Sequence, residues 1–270
     1  MDALKFQILG QKRGPALVCL HGFIGTGADW LPFAEEFLRL RPDVQILLPD
    51  LPGHGESVSI PTENFVERLV ATLDFAAITR AALAGYSLGG RLALSVALSQ
   101  PDRFPAFLGI STTAGIESPE ERKSRREADA QHATRLRQDS FESFLRDWWN
   151  LPIFDSPKKK NSAEFLASRS TQNPAVLAEV LEKCSPGVLP SIWNELPSYP
   201  GDALLLAGEA DSKYSLLARR MAESFRSAKT QILPACGHRL LEEAPLELAE
   251  AVSGFLQKII TPPAFKKALA

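Results

Sequence analysis

The chain has 270 residues, of which 45% are hydrophobic, and its 30 basic and 32 acidic residues leave a formal net charge of −2. A chain of that length can bury a core without disulfide or metal staples, and the near balance of charge excludes a chain-wide basic field for nucleic acid or an anionic membrane, although not a local basic pocket. Cys19, Cys184 and Cys236 are odd in number, far apart and outside any CxxC pair, which argues for buried thiols in a reducing compartment rather than a disulfide framework or a zinc site.

Asp2, Lys5, Lys12 and Arg13 interrupt the first twenty residues, so no signal-peptide core is expected there. No run of eighteen apolar residues suggests a membrane span, and a cytoplasmic protein is expected. Short apolar runs then recur as predicted strands: Leu4–Leu9, Ala16–Leu20, Val44–Leu48, Ala81–Ala84, Ala106–Ile110, Ala203–Ala207 and Thr230–Leu233. Several are unbroken rather than alternating, as strands buried on both faces are. Helix-period segments separate most of them: Trp30–Leu40, Asn64–Phe75, Leu88–Ser99, Ser215–Ser224 and Leu246–Ile259. The alternation predicts an α/β fold with a mostly parallel, doubly wound sheet. Residues 112–202 contain no convincing strand and several helical patterns broken by prolines, so they are expected to form a helical cap inserted into a core of residues 1–111 and 203–260. Residues 261–270 are a short helix or a frayed tail, and Lys158–Lys160 read as a solvated loop.

Gly85-Tyr86-Ser87-Leu88-Gly89, followed by Gly90, sits between a predicted strand and a predicted helix. A serine exposed on such a sharp turn needs small neighbours two residues away, and the helix N-terminus favours negative charge beside it. His21-Gly22-Phe23 ends the second strand, and the backbone amides of Phe23 and Leu88 are candidates for an oxyanion hole. Gly22, Gly25 and Gly27 do not match the spacing of a dinucleotide loop. Asp211 in Gly208-Glu209-Ala210-Asp211 and His238 after Gly237 follow the last two strands, in the order serine, acid, histidine expected of a serine triad on this fold. His238 would take the proton of Ser87 and Asp211 would orient the imidazole, with Glu209 the rival acid. His21 and His54 are read as loop organisers and His132 as a surface residue.

Together with Asp50–Ser57 (DLPGHGES), these motifs resemble the α/β-hydrolase superfamily over nearly the whole chain. GYSLGGR, EERKSRREAD, DWWNLPIF, LASRS and GEADSKY further resemble the 2-succinyl-6-hydroxy-2,4-cyclohexadiene-1-carboxylate synthases of menaquinone biosynthesis. That resemblance implies a lyase on a hydrolase scaffold, without cofactor or metal, that eliminates pyruvate from a small anionic polycarboxylate. It implies Ser87, Asp211 and His238 as catalytic residues, Phe23 and Leu88 as oxyanion donors, and Tyr86, Arg91, Arg125, Trp148 and Arg169 as substrate-binding residues. Arg122 and Arg126 lie within one turn of Arg125 and compete with it for the match.

Arg91 carries the most information outside the resemblance. It lies one helical turn after Ser87, on the same face, so a guanidinium there needs either a protein carboxylate such as Asp147 or an anionic substrate. Residues 115–175 hold eleven basic and ten acidic side chains, so position rather than composition favours anion binding. Of Trp148 and Trp149, adjacent on a helix, one is expected to pack the cap onto the sheet. The same triad would serve a hydrolase of esters, thioesters or carbon–carbon bonds, with Ser87 acylated. A non-catalytic small-acid binding protein is the third reading, and the intact serine, acid and histidine argue against it. Oligomeric state is left open.

Overall fold

Three of the apolar runs become strands buried along their whole length: β2 (Ala16–Leu20), β3 (Gln45–Pro49) and β5 (Ala106–Ile110). The computed structural model describes residues 3–57, 64–159, 161–257 and 259. With β1 (Phe6–Gly10), β4 (Ala81–Tyr86), β6 (Asp202–Gly208) and β7 (Ala228–Leu233) they form one seven-stranded sheet in the order β1-β3-β2-β4-β5-β6-β7. Only β1 runs antiparallel, against β3. The edge strand β7 alternates half-buried and exposed positions and points Lys229 and Gln231 at solvent, which blunts an edge that would otherwise invite pairing.

Helices cover both faces, as a parallel sheet requires. On one face, α2 (Phe65–Phe75), α3 (Leu88–Ser99) and α8 (Ser212–Ser224) contribute Leu69, Leu73, Leu92, Val96 and Met221 to an apolar cluster with Val18, Leu83 and Phe107. On the other, α1 (Leu31–Leu40), the short α9 (Leu240–Glu243) and α10 (Pro245–Leu256) contribute Phe33, Phe37, Leu240, Leu248, Val252 and Leu256 against Leu17, Ile46 and Leu108. The α8 helix begins three residues before the predicted segment because Asp211 caps it, its Oδ1 accepting from the Tyr214 N–H at 3.2 Å.

Between β5 and β6 the described residues form no strand. They form α4 (Pro119–Gln138), α5 (Phe141–Trp149), α6 (Ser162–Arg169) and α7 (Pro174–Cys184). Pro174 does not break a helix here but starts one: Asn173 caps the α7 amides, and proline at the first position loses no helical bond. Ser118 caps α4 in the same way, with Pro119 following. These helices share an apolar cluster of Leu136, Phe144, Leu145, Trp149, Phe165, Leu177 and Leu181. Lys158 and Lys159 pair with Glu247 and Asp155; Lys160 and the predicted tail 261–270 lie outside the described residues. No described helix is long and apolar enough to cross a membrane, and no disulfide joins the three cysteines.

Candidate active site

The loops at the C-terminal ends of β2, β4, β6 and β7 meet over one end of the sheet. Leu20 pairs with Gly85, which sets the His21–Phe23 loop beside the turn at Ser87. Ser87 has φ 52° and ψ −111°, a strained conformation for a residue with a side chain. The turn closes only because its flank is small: a Cβ on Gly89 would lie 2.3 Å from the His21 carbonyl oxygen. The Leu88 N–H stands at the first position of α3, and neither it nor the Phe23 N–H has a protein acceptor among the described residues.

His238 Nε2 lies 3.2 Å from Ser87 Oγ, and its Nδ1 lies 2.6 Å from Asp211 Oδ2. The carboxylate accepts a hydrogen bond from Nδ1–H, which fixes the tautomer so that Nε2 accepts from the serine hydroxyl. Asp211 is held by its second oxygen, which caps α8. Glu209, the rival acid, instead accepts from the Ala235 N–H at 3.0 Å and turns away from His238. Glu243 fixes the histidine loop from below: its Oε2 accepts from the Gly237 N–H at 2.6 Å and from the Ser156 hydroxyl of the helical segment at 2.8 Å.

His21 and His54 are sealed within this end of the fold. His21 Nδ1–H donates to the Gly22 carbonyl at 2.8 Å and Nε2 accepts from the Leu51 N–H at 2.8 Å, which leaves no room for a second proton. Burial lowers both imidazoles from 6.5 to about 3. Each folded value lies below the unfolded one, so the stabilisation is complete above about pH 6.5 and drains away as the pH falls toward 3. Urea-unfolding free energy is therefore expected to fall from pH 6 to pH 4, by up to about 1.4 kcal/mol per pH unit for each histidine. His54→Gln should make that slope shallower; an identical slope would refute the assignment.

A cavity of about 370 Å³ opens beside Ser87 and reaches beneath the helical segment. Tyr86, Arg91, Arg125, Trp148 and Arg169 all line it. Arg122 and Arg126 point elsewhere, to the carbonyls of Val188 and Gly187. Trp148 stacks on Phe144 at 5.7 Å and meets Phe23 edge-on at 5.2 Å. Its neighbour Trp149 is buried against Phe165. Burial raises the Tyr86 hydroxyl far above its ordinary range, so it stays protonated.

The arginines are not equivalent. Arg125 pairs with Asp129 at 2.7 Å and Arg169 with Asp29 at 2.5 Å. Burial outweighs Arg169 and raises the Asp29 carboxyl. Arg91 has no carboxylate partner among the described residues. Its Nη2 donates to the Cys184 carbonyl at 3.3 Å, its Nε is buried without an acceptor, and burial lowers its pKa to about 10. Asp147, the candidate carboxylate for it, pairs with Arg135 instead.

His132 is not a surface residue: it is half-buried, lines the cavity and meets Trp148 edge-on at 5.3 Å. Its spacing from Arg125 and Asp129, seven and three residues on one helix, would have placed it on the same face. Asp29, Phe154, Tyr214, Arg239 and Glu242 also line the cavity without having been picked out from the sequence. Arg239 directly follows His238, which is the one sequence signal that could have found it.

Residues 17–251 match the alpha/beta hydrolase family. The 2-succinyl-6-hydroxy-2,4-cyclohexadiene-1-carboxylate synthase of Pectobacterium atrosepticum is 36% identical over 246 residues, covering 90% of this chain and 94% of that one. The enzyme of the same name from Escherichia coli O1:K1 is 33% identical over 251 residues, covering 92% and 96%. Among solved structures, MenH from S. aureus superposes with a TM-score of 0.87 at 28% identity, covering 94% of this chain and 98% of that one. A thermophilic esterase from Thermogutta terrifontis, at 24% identity and a TM-score of 0.80 over 96% and 94% of the two chains, shares the fold. The chain belongs to the alpha/beta hydrolase family and is a relative of its 2-succinyl-6-hydroxy-2,4-cyclohexadiene-1-carboxylate synthases.

Proposed function

We propose that this protein is a carbon–oxygen lyase of menaquinone biosynthesis. It eliminates pyruvate from a succinyl-enolpyruvyl-cyclohexene tricarboxylate to give 2-succinyl-6-hydroxy-2,4-cyclohexadiene-1-carboxylate. Ser87, made basic by His238 and Asp211, removes a ring proton. The resulting carbonyl anion is held by the Phe23 and Leu88 amides, and the electrons move through the ring to break the carbon–oxygen bond to the enolpyruvyl group. The departing enolate takes up a proton and leaves as pyruvate. Residues 1–111 and 203–260 serve as the catalytic core, residues 112–202 as its lid, and the reaction takes place in the cytoplasm.

The observation that carries this reading is Arg91. A guanidinium buried without a carboxylate costs several kcal/mol, and this one stands a helical turn from Ser87 in the wall of the cavity. A substrate carboxylate supplies the missing partner, whereas a neutral ester would leave it unpaired. Tyr86, Arg125, Trp148 and Arg169 complete the substrate site around it. Supplying this tricarboxylate substrate to the folded wild-type protein should release pyruvate, and none above background would overturn the proposal. Arg91→Met is expected to lower kcat/KM about 10- to 100-fold, the worth of one charge-assisted hydrogen bond. If Arg91→Met instead leaves turnover intact and neutral esters are cleaved well, the protein is a serine hydrolase.

A further inference from the structure

The charges of the cavity fall into two groups. Those bearing on Arg91 of α3 are Arg125 and Asp129, both on α4, with the protonated Tyr214 hydroxyl of α8 beside them. Those bearing on Asp29 are Arg169 and Arg239, from the helical segment and the histidine loop. Arg239 is nearly buried, with a side chain 8% exposed. Its guanidinium lies over Trp149 at 4.2 Å, Phe165 at 4.7 Å and Phe154 at 5.6 Å. Glu242 takes its Nε, at 3.1 Å, and its Nη2. Nη1 has no protein acceptor among the described residues, yet it is not among the sealed polar atoms of the interior, and the residue lines the cavity.

A guanidinium already fixed over three rings and by a carboxylate loses little freedom when it takes one more acceptor. We propose that Arg239 is a carboxylate-binding residue of this cavity, its Nη1–H donating to an acid group of the substrate beside Asp29 and Arg169 while Arg91 holds another acid group beside α4. The inference rests on the proposed function and narrows it: the cavity selects acids that carry carboxylates at two separate points. The Arg239 group has two arginines and two carboxylates and so no net charge. Selection there comes from directed N–H donors rather than from a field.

Steady-state pyruvate release by the wild type, Arg239→Met and Glu242→Gln tests this. Arg239→Met is expected to raise KM about 10- to 100-fold with kcat within about threefold. Glu242→Gln, which keeps an acceptor oxygen and removes a negative charge, is expected to leave KM the same or lower it. A plank that merely props the rings would give the opposite pattern, with both variants losing Tm and neither changing KM, and would overturn the proposal. Should methionine prevent folding, Arg239→Lys keeps the charge and the stem but not the fork, and its KM is still expected to rise at least about fivefold. A readout independent of turnover separates this inference from the lyase assignment. Citrate, a tricarboxylate, should raise the Tm of the wild type more than that of Arg239→Met, and equal shifts, including none in either, overturn the role of Arg239.

Discussion

Replacing Ser87 by alanine is expected to cut pyruvate release by about 10²- to 10⁴-fold, the range over which a positioned base accelerates proton transfer. The variant should fold, because the hydroxyl makes one 3.2 Å contact to His238 and alanine fits the same turn. KM should change little, since Arg91 and the other cavity residues remain. Ser87→Gly should be as inactive yet more stable. Glycine adopts φ 52° without strain, which is worth about 1 kcal/mol or more and shows as a rise of a few degrees in Tm. A residue whose removal stabilises the fold while abolishing turnover is kept for its chemistry. Retention of more than a tenth of the wild-type rate in Ser87→Ala would remove the serine from the mechanism.

Gly89→Ala is expected to cost at least about 3 kcal/mol in urea unfolding and most of the activity, although it adds one methyl group. The new carbon would stand 2.3 Å from the His21 carbonyl oxygen and 2.4 Å from that of Leu20. Both are backbone atoms at the end of β2 and cannot rotate aside. The α3 helix must lift from the strand, and that separates the Leu88 amide and Ser87 from the Phe23 loop. Gly254→Ala is the matching control. It lies exposed on α10 with nothing within 4 Å of the added carbon, so it should stabilise by about 0.5–1 kcal/mol. Similar effects of the two substitutions would show that the close approach at Gly89 is relaxed in solution.

Most of the sheet was legible because buried parallel strands leave unbroken apolar runs such as ALVCL and AFLGI, which few other structures explain. Ser87, Asp211 and His238 were legible because each stands in the loop or turn that follows a strand, with a glycine within three residues. What pairs with what was not. Asp29 meets Arg169 across 140 positions of sequence, and no local pattern encodes a contact of that span. Arg125 could not be separated from Arg122 and Arg126 by spacing alone, because which of three neighbouring residues faces inward depends on how α4 lies against α7. The start of α8 was missed for a different reason: Asp211 was read for its charge, while the same carboxylate also ends the preceding loop by capping the helix.

The carboxylate of Glu243, shared between the Gly237 amide and the Ser156 hydroxyl, limits how the gene can be recombined. A lid grafted from another member of the family would have to bring a donor at the position of Ser156. Without one, Oε2 would keep only the Gly237 amide, while Oε1 already lies buried without a partner, and the looser histidine loop would register as slower proton transfer rather than as altered substrate choice.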